Sequence, residues 1–406
     1  MAIALVAMVG LNSCSKDCDH DFIEHDFTQD IVGTWTSFDG ELAEAMVINP
    51  DGSFTTTGVM KGGNLYEEKG TIKVVNNKVS LVFEGDKDVI EGRLELVAGK
   101  SLSIVLFDDN DVRLTYDYCE NDLSDEIIGM WVCTQLPIGK EGDMLIHTFQ
   151  KDGKLILTGR IPETDDYVVA GESNYMVFGD LYISYGKEEE KALIFKFNVA
   201  PNASELGDMM TVTGFMPTEN GIVEETSTWL RVKQHLELPG MKYDYIKTFV
   251  TNVKGEDKDI PFLNTSFNFA KMDGSIIDKF LKSILFTVEF PEANKIKYSY
   301  LLEGKNIVID APIEVDGNKM TIKMSANNPA YQDVDMYAFQ DQDNTQMHWY
   351  MPTTSFEKFF GNTSVALMLG YGQLDKDDTE GIANVYKTIA DAVESINLSI
   401  VMSQSK

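Results

Sequence analysis

Positive charge is scarce in this chain of 406 residues: 34 Lys plus Arg stand against 65 Asp plus Glu, a formal net charge of −31. So acidic a surface repels phosphate backbones and anionic headgroups, and no basic run interrupts it, which excludes nucleic acid as a partner. No apolar stretch reaches the roughly 18 to 20 residues of a membrane-spanning helix. The five histidines are scattered. A nucleophile needs a base oriented by a third group, and no Gly-x-Ser-x-Gly elbow frames a serine, so the expectation is a protein that is not an enzyme and has no cofactor. With 65 acids, any one carboxylate pair carries no glycosidase signal. "DKDDTEGIANVY" places its glycine one position late for a calcium loop, "DQDNTQMHWYMP" has none, and neither ends in glutamate.

What is present begins with the apolar "MAIALVAMVG", followed by Leu11-Asn12-Ser13-Cys14 and an Asp-rich segment. That order is the end of a signal peptide. Leu-x-Ser-Cys resembles a bacterial lipobox, and the resemblance implies that Cys14 is linked to diacylglycerol and becomes the first mature residue. No Lys or Arg precedes the apolar run, so a true start upstream of Met1 is expected. The acidic cluster around Lys16-Asp17 and Asp19 to Asp21 resembles the export signal of Bacteroidetes surface lipoproteins, which implies the outer membrane and its outward face. Two or three acyl chains would hold the protein there firmly. Cys18, His20 and His25 have ligand types suited to zinc. The spacing is neither Cys-x-x-Cys nor His-x-x-x-His, however, and a solvated tether without metal is the preferred reading. Cys119 and Cys133 either pair as a disulfide worth ~3 kcal/mol or stay as buried thiols.

A repeat organises the chain. Asp30-Ile31-Val32-Gly33-Thr34-Trp35 returns as Glu126-Ile127-Ile128-Gly129-Met130-Trp131, each followed by an apolar strand and an Asp-Gly hairpin, "MVINPDGSFTTTG" from Met46 and "LIHTFQKDGKLILTG" from Leu145. Asp-Gly supplies the positive φ of a tight turn. Short β-branched or aromatic strands follow at spacings near ten residues, which argues closed antiparallel barrels or sandwiches. Gly-x-Trp on a first strand, the hairpin, and an arginine on the last strand resemble the small lipocalin-like domains of Bacteroidetes lipoproteins. The likeness implies that tryptophan closes the barrel floor with an arginine over its ring, Arg113 serving Trp35 and Arg231 serving Trp131, at ~0.5 to 2 kcal/mol per cation–π contact.

Beyond Pro239-Gly240 the pattern changes. Strands continue, and helix signals join them: Ser275 as a cap before Ile276, Ile277, Phe280, Leu281 and Ile284; a capping box of Thr354 and Glu357 with a stop at Gly361; and a face of Ile382, Val385, Ile389, Val393 and Ile396. This region resembles a calycin-like barrel with helices added, although it lacks Gly-x-Trp. A four-residue turn at Asp341 to Asn344 would set Ala338 against Met347, Met336 against Trp349 and Val334 against Met351 on one side. That Met-rich face is packed core or an adaptable pocket wall, with core preferred. The other side carries Asp335, Tyr337, His348 and Tyr350, suited to stacking on a sugar or gripping a partner, or else an ordinary solvent face.

The expected architecture is therefore mainly β: a tether over 1–29, lipocalin-like barrels over 30–122 and 123–238, and a calycin-like β domain with helices over 239–406. The expected work is binding a small apolar molecule, a glycan or a protein at the cell surface, by a chain held to the membrane through its lipid. The rival expectation is a structural or accessory subunit, and the Val, Leu, Ile and Phe content of the first two units favours filled interiors. Mass spectrometry of the mature protein is expected to find an acylated Cys14 at its amino terminus; an unmodified residue ahead of Cys14 would remove the anchor.

Overall fold

Alternation with a period of two needs both faces of a strand satisfied, and a closed barrel does this without leaving an edge. The computed structural model describes residues 26 and 28–405, apart from 39–42, 61–62, 108–111, 136–144, 161–166, 187–191, 205–206, 219–220, 257–258, 263–264, 269–273, 284, 303 and 327. Cys14, Cys18, His20 and His25 lie outside the described residues.

Three closed antiparallel barrels of eight strands follow one another, which is the expected fold class. The first contains β1 (Gly33–Phe38), β2 (Ala43–Ile48), β3 (Ser53–Val59), β4 (Leu65–Val75), β5 (Lys78–Phe83), β6 (Ile90–Val97), β7 (Ser101–Leu106) and β8 (Arg113–Tyr118). The second contains β9 (Gly129–Gln135), β10 (Leu145–Phe149), β11 (Lys154–Arg160), β12 (Tyr167–Phe178), β13 (Leu181–Tyr185), β14 (Ala192–Ser204), β15 (Gly207–Thr218) and β16 (Gly221–Val232). In both, strands pair in chain order and the last closes on the first.

The repeat is visible bond for bond. Trp35 Nε1 donates to the Ile31 carbonyl at 2.7 Å, and Trp131 Nε1 donates to the Ile127 carbonyl at 2.7 Å. Both rings are buried. Gly52 and Gly153 each have φ of +80°, the left-handed conformation that glycine adopts without a steric penalty. Their carbonyls each accept at 2.8 Å from a later strand, from Ile72 N and Tyr175 N.

The closing contact differs between the two. Arg231 pairs with Trp131 in the ladder, and its guanidinium carbon lies 4.6 Å from the Trp131 ring centroid while Nη2 donates to the Glu126 carbonyl. In the first barrel, Tyr118 pairs with Trp35 and sets its ring 4.9 Å away, edge-on. The assignment of Arg113 to Trp35 is corrected: Arg113 is five residues before Tyr118, hence on the opposite face, and its exposed guanidinium bonds Glu95 at 2.9 Å.

The third barrel takes β17 (Met241–Gly255), β20 (Thr287–Glu292), β21 (Lys295–Leu302), β22 (Lys305–Asp316), β23 (Lys319–Ile322), β24 (Val334–Gln340), β25 (Gln346–Met351) and β26 (Val393–Gln404). A separate hairpin of β18 (Asp259–Phe262) and β19 (Thr265–Asn268) interrupts the order, followed by α1 (Gly274–Ser283). Ser275 is thus the second residue of that helix and not its cap. Tyr243 stands in the register position of the two tryptophans, paired with Val288 on one side and Gln404 on the other.

Two further helices, α2 (Thr353–Gly370) and α3 (Thr379–Ala392), lie between β25 and β26. Pro352 caps α2 without a side-chain bond, and the helix runs through Gly361. Gly361 is therefore no stop: a Cβ there would collide with the Tyr386 ring of α3, so the glycine permits close helix packing. In α3 the cap is Asp378, accepting from Gly381 N at 2.8 Å, while Val393 and Ile396 belong to β26. Phe359 of α2 reaches Phe286, Tyr298 and Trp349 at 6.3, 6.0 and 6.3 Å, so the helix plugs an interior already filled by Met336, Met347 and Met351.

Removing an indole that anchors a barrel end leaves a large cavity. Trp131→Ala is expected to lower the stability of its barrel by ~3 to 5 kcal/mol in urea unfolding, whereas Arg113→Ala should stay within ~0.5 kcal/mol. A loss under about 1 kcal/mol for Trp131→Ala would contradict the sealing role.

Candidate functional site

The side chains pointing into the second barrel can be counted off in steps of two. Leu145 and His147 come from β10, Leu155 and Leu157 from β11, Tyr182 and Ser184 from β13, Leu193 and Phe195 from β14, Val212 and Gly214 from β15, and Glu225, Ser227 and Trp229 from β16. Together with Thr226 they line a cavity of about 260 Å³, close to the lower bound of ~300 Å³ typical for small-molecule sites. The expectation of a filled interior is therefore corrected for this unit.

Aromatic rings shape its walls. His147 lies over Trp229 with centroids 4.1 Å apart, Tyr182 stacks on Phe195 at 4.9 Å, and Phe149 meets Tyr182 edge-on at 5.4 Å beneath them. Gly214 lies beside Phe195, and a Cβ there would come within 2.8 Å of that ring. Polar groups are few. Trp229 Nε1 donates to Ser227 Oγ at 2.8 Å, and Ser184 Oγ and Ser173 Oγ share a hydrogen bond at 2.9 Å. Two buried atoms, His147 Nδ1 and Glu225 Oε2, have no hydrogen-bond partner among the described residues. Burial drives the His147 imidazole down to about 3, so it is neutral at ordinary pH.

The first barrel answers the same register differently. Glu44 of β2 occupies the place that Leu145 holds in the second barrel, two residues before the side chain facing the floor tryptophan. It is buried and accepts hydrogen bonds from both Tyr66 and Tyr116. Tyr116, two residues before Tyr118, corresponds to Trp229, two residues before Arg231. A satisfied carboxylate with two phenols fills the end that stays open in the second unit.

The β24–β25 hairpin is placed elsewhere than expected. Ala338 pairs with Trp349 and Gln340 with Met347, a slip of two residues from the sequence register. Because two is the side-chain period, both faces keep their composition. Ala338, Met336, Val334, Met347, Trp349 and Met351 are all packed core. The binding role for Asp335, Tyr337, His348 and Tyr350 is corrected. Tyr337, Phe339 and Tyr350 form one buried cluster with Met130, Val132, Ile146 and Val232 on the outside of the second barrel, and His348 is 6% exposed on the same face. Asp335 accepts from Thr321 Oγ1 at 2.6 Å. Hydrogen bonds rim this contact: Lys233 N to the Gln340 carbonyl at 2.8 Å, and Gln342 Nε2 to the Val232 carbonyl at 3.0 Å. The face is a seam between two barrels.

The disulfide alternative is also corrected: Cys119 and Cys133 are both thiols. Cys133 is two residues from Trp131 on β9 and sealed inside the second core, while Cys119 stands outside it against Asp180. Burial, with Asp180 beside it, pushes the Cys119 thiol up to about 11, which leaves it a poor nucleophile. No group of three or more His, Cys, Asp or Glu suited to a metal ion occurs among the described residues.

No protein-family profile matches the chain, and no curated protein matches it. Among solved structures, one similar chain is that of intact Ap-TbpB with its N and C lobes, at 8% identity, covering 91% of this chain and 68% of that one with a TM-score of 0.22. At that score the likeness carries no argument about fold or function.

Two imidazoles held neutral by burial, His147 at about 3 and His348 at about 4 against the usual 6.5, set a pH dependence. Both folded values are depressed, so their stabilising effect is complete above about pH 6.5 and declines as pH falls toward 4 and 3, where the unfolded chain binds protons that the folded one refuses. Unfolding free energy measured across that window should fall with acidification, and His348→Leu should flatten the slope; an unchanged slope would contradict the buried neutral state.

Proposed function

We propose that the chain is a non-enzymatic, lipid-anchored binding protein of the bacterial cell surface in which the second barrel holds a compact, largely apolar ligand while the first and third serve as filled scaffold. The observation that carries this reading is the contrast between the units. The first barrel closes its end with Glu44, Tyr66 and Tyr116, and the third is plugged by α2. The second instead keeps a cavity of about 260 Å³ walled by leucines and aromatic rings, with two polar atoms that lack internal partners. Such a combination of apolar wall and sparse, convergent polar groups is what orients a small molecule.

The anchor rests on the lipobox-like Leu11 to Cys14 and the acidic tether behind it. The scaffold role of the third unit follows from its packing: the aromatic and histidine face that sequence offered as a binding surface joins it to the second unit. A structural role for the first and third barrels and a binding role for the second are thus parts of one reading.

Calorimetric titration of the full chain with n-octanol, a neutral apolar probe, is expected to give saturable one-site binding with a dissociation constant near or below about 1 mM. Leu157→Trp, which puts an indole into the cavity, should abolish it. Absence of saturable binding, or equal binding by Leu157→Trp, would leave only the scaffold role.

A further inference from the structure

The polar lining of the second barrel has a sign. Among the described residues it holds one carboxylate, Glu225, and no Lys or Arg. Glu225 Oε2 is closed off from solvent and has no donor among the described residues. An ionised carboxylate taken out of water without hydrogen bonds is costly, and folded proteins compensate with donors or a cation. This chain demonstrates the internal solution in its first barrel, where Glu44 receives two tyrosine hydroxyls. In the second barrel Glu225 lies across the ladder from Gly214, which has no side chain to offer.

His147 cannot supply the missing charge, because burial keeps its imidazole neutral down to about pH 3. The cavity that Glu225 shares is instead walled in part by π-surface. Trp229, Tyr182 and Phe195 line the same cavity, and the faces of such rings attract ammonium groups. The whole chain, at −31, steers cations inward and anions away.

From this geometry we propose that the ligand of the second barrel is an amphipathic amine, its protonated nitrogen bonded to the Glu225 carboxylate and its apolar body lying against Leu145, Leu155, Leu157 and the aromatic rings. The assignment rests on the reading of this barrel as a binding site and narrows it to one chemical class. An ammonium group supplies both the charge and the N–H donors that Glu225 Oε2 lacks among the described residues, whereas a fatty acid would set a carboxylate beside a carboxylate.

The test compares n-octylamine, n-octanol and n-octanoate at pH 7 by calorimetry on the full chain, at an ionic strength above about 0.1 M so that loose attraction to the acidic surface is screened. The amine is expected to bind about tenfold or more tighter than the alcohol, and octanoate weakest. Glu225→Gln should bring the amine to within about twofold of the alcohol, and Leu157→Trp should remove all three. Alcohol binding with no preference for the amine, or a preference that survives Glu225→Gln, overturns the amine assignment and leaves the pocket standing. No binding by any of the three, with Leu157→Trp indistinguishable from the parent, overturns the pocket and the assignment together.

Discussion

One hydrogen bond organises the tandem units: an indole N–H from the first strand donating to the carbonyl four residues earlier, from Trp35 to Ile31 and from Trp131 to Ile127. A buried indole must find an acceptor. By taking one from the turn that enters the barrel, it fixes that turn under the floor and determines which residues of β1 and β9 point inward. Once that parity is set, period-two alternation carries it around the ladder. The cavity of the second barrel, the filled end of the first and the outer seam with the third all follow from it.

Much of this was legible because the relevant signals are local. The Asp-Gly turns require positive φ, and Gly52 and Gly153 adopt the same value. Closely spaced strands separated by turn residues implied antiparallel barrels or sandwiches, and three closed barrels resulted. What sequence could not supply was the register of closure between strands far apart in the chain. An arginine on the last strand is a sound rule only when it has the right parity: Arg231 has it, Arg113 does not, and Tyr118 takes that place over Trp35.

The candidate site was harder to see for a related reason. Nothing in the local sequence of His147 or Glu225 distinguishes them from other half-apolar strand positions. They acquire meaning only when β10 and β16 are brought around to enclose one space. Conversely, Tyr337, His348 and Tyr350 had the composition of a ligand-binding surface, and they are instead packed against the second barrel of the same chain. Aromatic residues on an outward face report burial against something without naming the partner.

The closure of the third barrel sets an order of events for the growing chain. Its first strand, β17, pairs with β26, the last of the described strands, and α2 and α3 precede that strand. Until residues beyond Val393 emerge, β17 has no neighbour on one side, and the aromatic face of β24 and β25 must await a docked, finished partner. The first two units, whose strands are consecutive, can mature earlier, so synthesis from the amino end delivers a completed docking surface before the unit that needs it.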